Sequence, residues 1–317
     1  MTISTTRTTA ALLASDTWRV YQMMFSDYLE AVNAAPRTIE TYGLAVEQLG
    51  SFLRGQGMPA DPTKVTREYL VEWMRYLQRP REDGGQGVSA ASALQRYRSI
   101  ARFFAFLVET DEIPESPMLK MRPPRVPEKL VPVIREDDLR RLFDAVRGSD
   151  FESRRDQAIV SLFIDTGLRL SEIAGLDLDA IDLEEREAVL MGKGRRARRV
   201  RFVRETRADL QRYLLRRQQH AHARDSALWL GKKGRMTPSG IYQMIQRRCE
   251  QAGIDAVHPH MFRHTFAHQY LRAGGAEGDL MRVTGWKSRQ MVDRYGASAA
   301  AERAAEAHDK FSPRRGF

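Results

Sequence analysis

The sequence predicts a mainly α protein with a small antiparallel sheet (α+β), divided into two domains. Three observations predict it. Apolar residues recur at helical spacing along most of the chain. Short runs between residues 179 and 203 alternate as strands do. Six prolines fall within residues 113–132, between two helical sets, and proline bars a regular helix. At 317 residues the chain can bury a sizeable core in each domain.

Residues 1–15 read as a flexible N-terminus, and residues 16–112 as a helical domain of four segments. Residues 16–32 place Trp18, Tyr21, Phe25 and Leu29 on one face; residues 38–56 repeat Tyr42, Val46, Leu49 and Leu53. Residues 66–78 and 89–108 carry Leu70, Trp73 and Leu77, then Ile100, Phe103, Phe104 and Leu107, with a Gly-rich loop at 81–87 between them. Residues 113–133 form the proline-rich linker. The second domain, 134–317, opens with helices at 135–146 and 156–165. Strand-like runs follow at 179–185, 186–192 and 197–203, with turns near 184–186 and 192–194. Helical patterns resume at 207–217, 239–252, 261–273 and 277–283. Ser288 suits the N-cap of a short helix ending near Tyr295, and residues 299–308 read as a closing helix.

Lys and Arg number 51 against 41 Asp and Glu, a net charge of +10 that points to a polyanionic partner. Residues 191–217 hold 11 basic and 2 acidic side chains. Within that block Arg195, Arg196, Arg198, Arg199 and Arg201 are candidates for phosphate-backbone contacts. The single cysteine, Cys249, excludes an intrachain disulfide and lies in a helical pattern as a buried structural thiol. No apolar run approaches the ~18 residues a membrane span needs. The expectation is a soluble, cytoplasmic protein without membrane partners.

The chemistry lies in the order Arg169, Lys193, His260, Arg263, Trp286, Tyr295. Arginine clamps phosphate through a planar fork that stays charged, so Arg169 and Arg263 suit the non-bridging oxygens of a phosphodiester. Tyr295 is a nucleophile once its phenol loses a proton, which His260, three residues before Arg263 on a helical face, can accept. Lys193, in a glycine-flanked turn, can protonate the leaving 5′-oxygen. Trp286 can donate its indole N–H to phosphate. Glu172 is placed to orient Arg169 at i+3, and His264 has a supporting role beside the same helix. Read singly, each has a structural alternative: surface arginine, solvated lysine, core tryptophan, packed tyrosine. His258, His260 and His264 lack the Cys or carboxylate company of a metal site, so no metal and no cofactor are expected.

On these motifs the chain resembles the tyrosine recombinase (phage integrase) family, from about residue 15 to 310. TGLRLSEIAGL resembles the first arginine motif, GKGRRARRV the hairpin lysine, and HMFRH the His-x-x-Arg motif. Trp286 stands where members carry His or Trp, and Tyr295 follows nine residues later. The text departs from the commoner Leu before the second arginine and Gly-His at the later position. Trp in place of His leaves proton transfer to His260 and Lys193.

The resemblance implies a SAM-like core-DNA-binding domain followed by a catalytic domain, in the two-domain layout of Cre- and Xer-type members, with no arm-site domain ahead of residue 15. It implies cleavage through a 3′-phosphotyrosine on double-stranded DNA with paired inverted half-sites. It further implies a homotetramer on two synapsed sites and strand exchange through a Holliday junction, in a bacterial or phage-encoded, nucleoid-associated protein. An accessory or directionality protein is a further partner class. The closing helix docks either on a neighbouring protomer or within its own chain. A type IB topoisomerase, which shares this chemistry without synapsis, is the alternative. A DNA-binding protein without catalysis would lack one of these residues, and an RNA-binding helical protein leaves their spacing unexplained.

Overall fold

The computed structural model describes residues 17–80, 87–127, 132–191 and 197–293, with scattered positions from 304 to 314. The chain is mainly helical with a small antiparallel sheet. It forms two compact units, Met1–Glu128 and Lys129–Phe317.

The first unit holds four helices: α1 (Thr17–Ala31), α2 (Pro36–Gly55), α3 (Arg67–Gln78) and α4 (Ala90–Glu109). Their limits follow local chemistry. Pro36 occupies the first turn of α2, where its missing N–H is no loss. The Ser89 hydroxyl caps α4 by accepting from Ser92 N at 3.2 Å. Trp18, Phe25, Leu49, Trp73, Ile100 and Phe103 fill one core. Trp18 lies against α2 and donates its indole N–H to Val46 O at 3.1 Å. That contact requires glycine at position 50, since a Cβ there would stand 2.4 Å from Trp18 Nε1. Gly50→Ala gains helix propensity worth up to about 1 kcal/mol, but overpacking costs about 1–3 kcal/mol. Thermal unfolding of the variant is expected to show a lower Tm; an unchanged or higher Tm would contradict this packing.

Beyond α4, residues 113–121 lie along this unit. Ile113 and Met118 join its core, and the Tyr97 hydroxyl donates to Met121 O at 2.8 Å. The sequence expectation of an extended connector lacked these apolar anchors.

The second unit comprises α5 (Glu136–Ala145), α6 (Phe151–Thr166), α7 (Leu170–Ala174), β1 (Ile181–Asp182), β2 (Glu187–Met191), β3 (Ala197–Arg201) and α8 (Arg204–Arg217). These are followed by β4 (Leu230–Gly231), β5 (Gly234–Arg235), α9 (Pro238–Ala252), α10 (Pro259–Arg272) and α11 (Glu277–Thr284). Helix α6 runs through the core, with Ala158, Ile159, Val160, Leu162 and Phe163 all fully buried. It starts five residues before the periodicity predicts, because Asp150 accepts from Ser153 N at 2.9 Å and caps it there. The sheet order is β1-β2-β3, all antiparallel, with Glu187 opposite Arg201 and Met191 opposite Ala197. Its first turn closes as expected: Asp182 Oδ1 accepts from Glu184 N and Glu185 N, both at 2.9 Å, and Arg186 takes a left-handed φ of 58°. Helix α7 and the β4–β5 hairpin were not expected. Cys249 is buried in the core, and burial pushes its thiol pKa up. Residues 289–293 are helical, with Ser288 Oγ accepting from Gln290 N at 3.1 Å. The second sheet turn (192–194) and the greater part of the 299–308 helix lie outside the described residues.

Candidate active site

Two helix ends of the same construction frame the site. Helix α6 stops at Thr166–Gly167 and α11 at Thr284–Gly285, each glycine left-handed, at φ 60° and 68°. Each threonine hydroxyl donates back into its own helix, Thr166 to Leu162 O and Thr284 to Leu280 O. The chain then leaves both ends sharply. One exit leads through buried Leu168 to Arg169, the other directly to Trp286.

Arg263, on α10, lies between these ends. It is 1% exposed. Its Nη1 donates to Gly167 O at 2.8 Å and its Nη2 to Thr284 O at 2.6 Å. Carbonyls at helix C-termini lack intrahelical partners and carry partial negative charge. Two such ends therefore offset part of the desolvation cost of a buried cation, and they fix the guanidinium plane. The Trp286 ring supplies a third contact, 5.2 Å from the Arg263 Cζ.

A side chain at Gly167 is strained by its surroundings and by its backbone. A Cβ there would stand 2.5 Å from Phe266 Cδ1, at a φ that L-residues avoid. Gly167→Ala is expected to lower stability by roughly 2–5 kcal/mol, the sum of a left-handed backbone penalty and overpacking. Chemical denaturation checks this, and a loss below about 1 kcal/mol would show that the turn relaxes freely.

Arg169 caps α7. Its backbone N–H donates to Glu172 Oε2 at 2.8 Å and its Nη1 to Glu172 Oε1 at 2.9 Å, as the i+3 spacing predicts. One of its five N–H donors is thus engaged by Glu172. With the side chain 41% exposed, the fork is accessible to an external oxyanion. Burial works against the Glu172 carboxylate, but hydrogen bonds from Arg198 and from the Arg169 backbone, with the two cationic charges, hold its pKa below the usual range.

The sequence grouped Arg198 with the phosphate-contacting arginines, and strand alternation separates it from them. Arg199 and Arg201 point outward beside Glu187. Arg198 shares the inner side of β3 with buried Val200 and makes a two-pronged bridge to Glu172, Nη1 to Oε1 at 3.0 Å and Nη2 to Oε2 at 2.9 Å.

His260 is exposed in the first turn of α10, one turn from Arg263. Its ring meets the buried His264 edge-on at 4.6 Å between centroids. Trp286 is buried against Ala267, Leu271, Leu280 and Val292, so it is at once core and neighbour of the buried arginine.

Direct contacts thus join Arg169, Glu172 and Arg198 in one set and Arg263 and Trp286 in another. The Gly167 carbonyl, two residues before Arg169, links the sets through Arg263, and His260 and His264 lie on the Arg263 helix. Lys193, Arg195, Arg196 and Tyr295 lie outside the described residues. Sequence reasoning missed Gly167, Thr284 and the inward turn of Arg198; the repeated Thr-Gly pair was the available signal. Among the described residues no group of three His, Cys, Asp or Glu side chains could hold a metal ion. No helix there is long and apolar enough to cross a membrane. What the arrangement offers chemically is two positioned guanidinium groups, one buried and one accessible, beside an exposed imidazole.

Residues 132–302 match the phage integrase family. The chain is 35% identical over 193 residues to the tyrosine recombinase XerC of Azotobacter vinelandii, a match covering 59% of this chain and 63% of that protein. It is 30% identical over 270 residues to XerC of Escherichia coli O139:H28, covering 82% of this chain and 85% of that protein. Its fold resembles the XerH site-specific recombinase solved with a palindromic difH substrate after cleavage, at TM-score 0.70 and 18% identity over 89% of this chain and 84% of that one.

Proposed function

The chain belongs to the phage integrase family, and from that premise we propose that it is a site-specific DNA recombinase working through a 3′-phosphotyrosine intermediate. The observation that carries the reading is the pair of arginines. Arg263 is oriented by the Gly167 carbonyl, two residues before Arg169, whose fork stays accessible. Both would donate to the non-bridging oxygens of one phosphodiester, where charge grows in the transition state.

The Tyr295 oxygen attacks phosphorus, and its proton passes to His260. The bond from phosphorus to the 5′-oxygen breaks, and that oxygen takes a proton from Lys193. The products are a 3′-phosphotyrosyl bond and a 5′-hydroxyl. Attack by a 5′-hydroxyl from a partner strand reverses the step and regenerates the phenol. The phosphodiester is exchanged rather than hydrolysed, so no ATP is consumed. Exchange between two duplexes calls for paired inverted half-sites, a homotetramer and a Holliday junction. Arg195, Arg196, Arg199 and Arg201 would contact the backbone, and such contacts weaken with salt.

The test is covalent capture on nicked fragments of the source genome, with sequencing of the DNA retained after denaturation. Adducts concentrated at one short site with inverted half-sites support the recombinase. Adducts scattered along the genome favour a type IB topoisomerase, and their absence contradicts both.

A further inference from the structure

We propose that Arg198 is a positioning residue that occupies the Glu172 carboxylate and thereby leaves the Arg169 fork available to phosphate, a role that rests on the cleavage reading above. Glu172 is the only described carboxylate joined to Arg169 by a hydrogen bond or ion pair, and its side chain is 18% exposed. A half-buried carboxylate so placed has an obvious alternative partner geometry. It could take both prongs of the Arg169 guanidinium, which is the preferred arrangement for an Arg–carboxylate pair. Such a pair would withdraw from phosphate the donors on which the reaction depends.

Arg198 prevents this. Its two terminal nitrogens, at 3.0 and 2.9 Å, claim one lone-pair site on each Glu172 oxygen. The Arg169 backbone N–H takes another site at 2.8 Å, so Arg169 Nη1 is left with a single contact. Arg198 is itself 20% exposed, and its Nη1 lies 3.0 Å from where a Cβ on Gly285 would stand. Gly285, left-handed at φ 68°, has no side chain to crowd the guanidinium. One side chain on β3 therefore lies beside the turn before Trp286 and sets the division of labour between Glu172 and Arg169.

The chemistry makes a signed prediction. In Arg198→Met, Glu172 is left to compete for Arg169, and adduct formation on the nicked genomic fragments should fall on the order of 10²-fold, the scale of losing an oxyanion donor. Filter binding to the same fragments should change little. Adding Glu172→Gln removes the competing charge, so the double variant should recover at least about tenfold over Arg198→Met, a coupling that independent sites do not show. Arg198→Lys keeps the charge without the fork and should be intermediate.

A second readout does not depend on cleavage. Orthovanadate should raise the Tm of the wild type, less so that of Arg198→Met, and again that of the double variant. Tm without vanadate separates a folding defect from loss of the site. Wild-type cleavage by Arg198→Met overturns the proposal, as does a loss that Glu172→Gln leaves unrelieved. A wild type that forms no adduct contradicts the recombinase reading instead, and the vanadate series then decides the role of Arg198. No vanadate response in the wild type would overturn that role too.

Discussion

Replacing Arg263 by alanine is expected to reduce covalent adduct formation by about 10³-fold or more, while DNA affinity falls far less. Removing one oxyanion donor typically costs about 10²–10³ in rate. Arg263 does more than donate. It holds together the ends of α6 and α11, through Gly167 O and Thr284 O, and these ends lead to Arg169 and Trp286. Without it the two carbonyls lose their partner in a buried space, a loss worth about 1–3 kcal/mol each at most. Arg263→Lys is the sharper probe. Lysine keeps the charge, but its compact ammonium does not match a planar fork bridging two helix ends. It should retain most of the stability and little of the cleavage. Single-turnover cleavage and filter binding measured side by side check this. Equal losses of binding and cleavage would make Arg263 a docking contact rather than part of the reaction.

Tyr295→Phe is expected to abolish the adduct altogether, since it removes one oxygen and the nucleophile with it. The ring remains, so filter binding and Tm should match the wild type. Neither His260 nor Lys193 can substitute, because their roles move protons and do not form the phosphotyrosyl bond. Adduct at wild-type yield in this variant would remove Tyr295 from the mechanism.

The sequence carried the long elements well and the short ones poorly, for a physical reason. Helices such as α2 and α4, of 20 residues each, repeat their apolar face over several turns. Helix α7 has five residues and β4 and β5 two each, too few for any period to register. The start of α6 was missed because Glu152, Ser153 and Arg154 are polar, although Asp150 supplied a capping signal.

The site divides along the same line. The Arg169–Glu172 pair is local and legible at i+3. Two partners of Arg263 are main-chain carbonyls from residues 96 and 21 positions away, and carbonyls leave no mark in a sequence. The Thr-Gly endings at 166–167 and 284–285 were the nearest visible trace. Arg198 was hidden in a run of arginines; only its alternation with Val200 along β3 distinguishes it from Arg199. Trp286 was read as core or site, and its contacts make it both.

The most direct test is to identify the amino acid joined to DNA. The wild-type adduct on nicked genomic fragments would be digested with nuclease and protease, and the nucleotide-bearing peptide sequenced by mass spectrometry. The expected result is a single peptide spanning residue 295, with the nucleotide on the Tyr295 oxygen through a 3′-phosphate. A nucleotide on any other residue, or attached through a 5′-phosphate, would contradict the account.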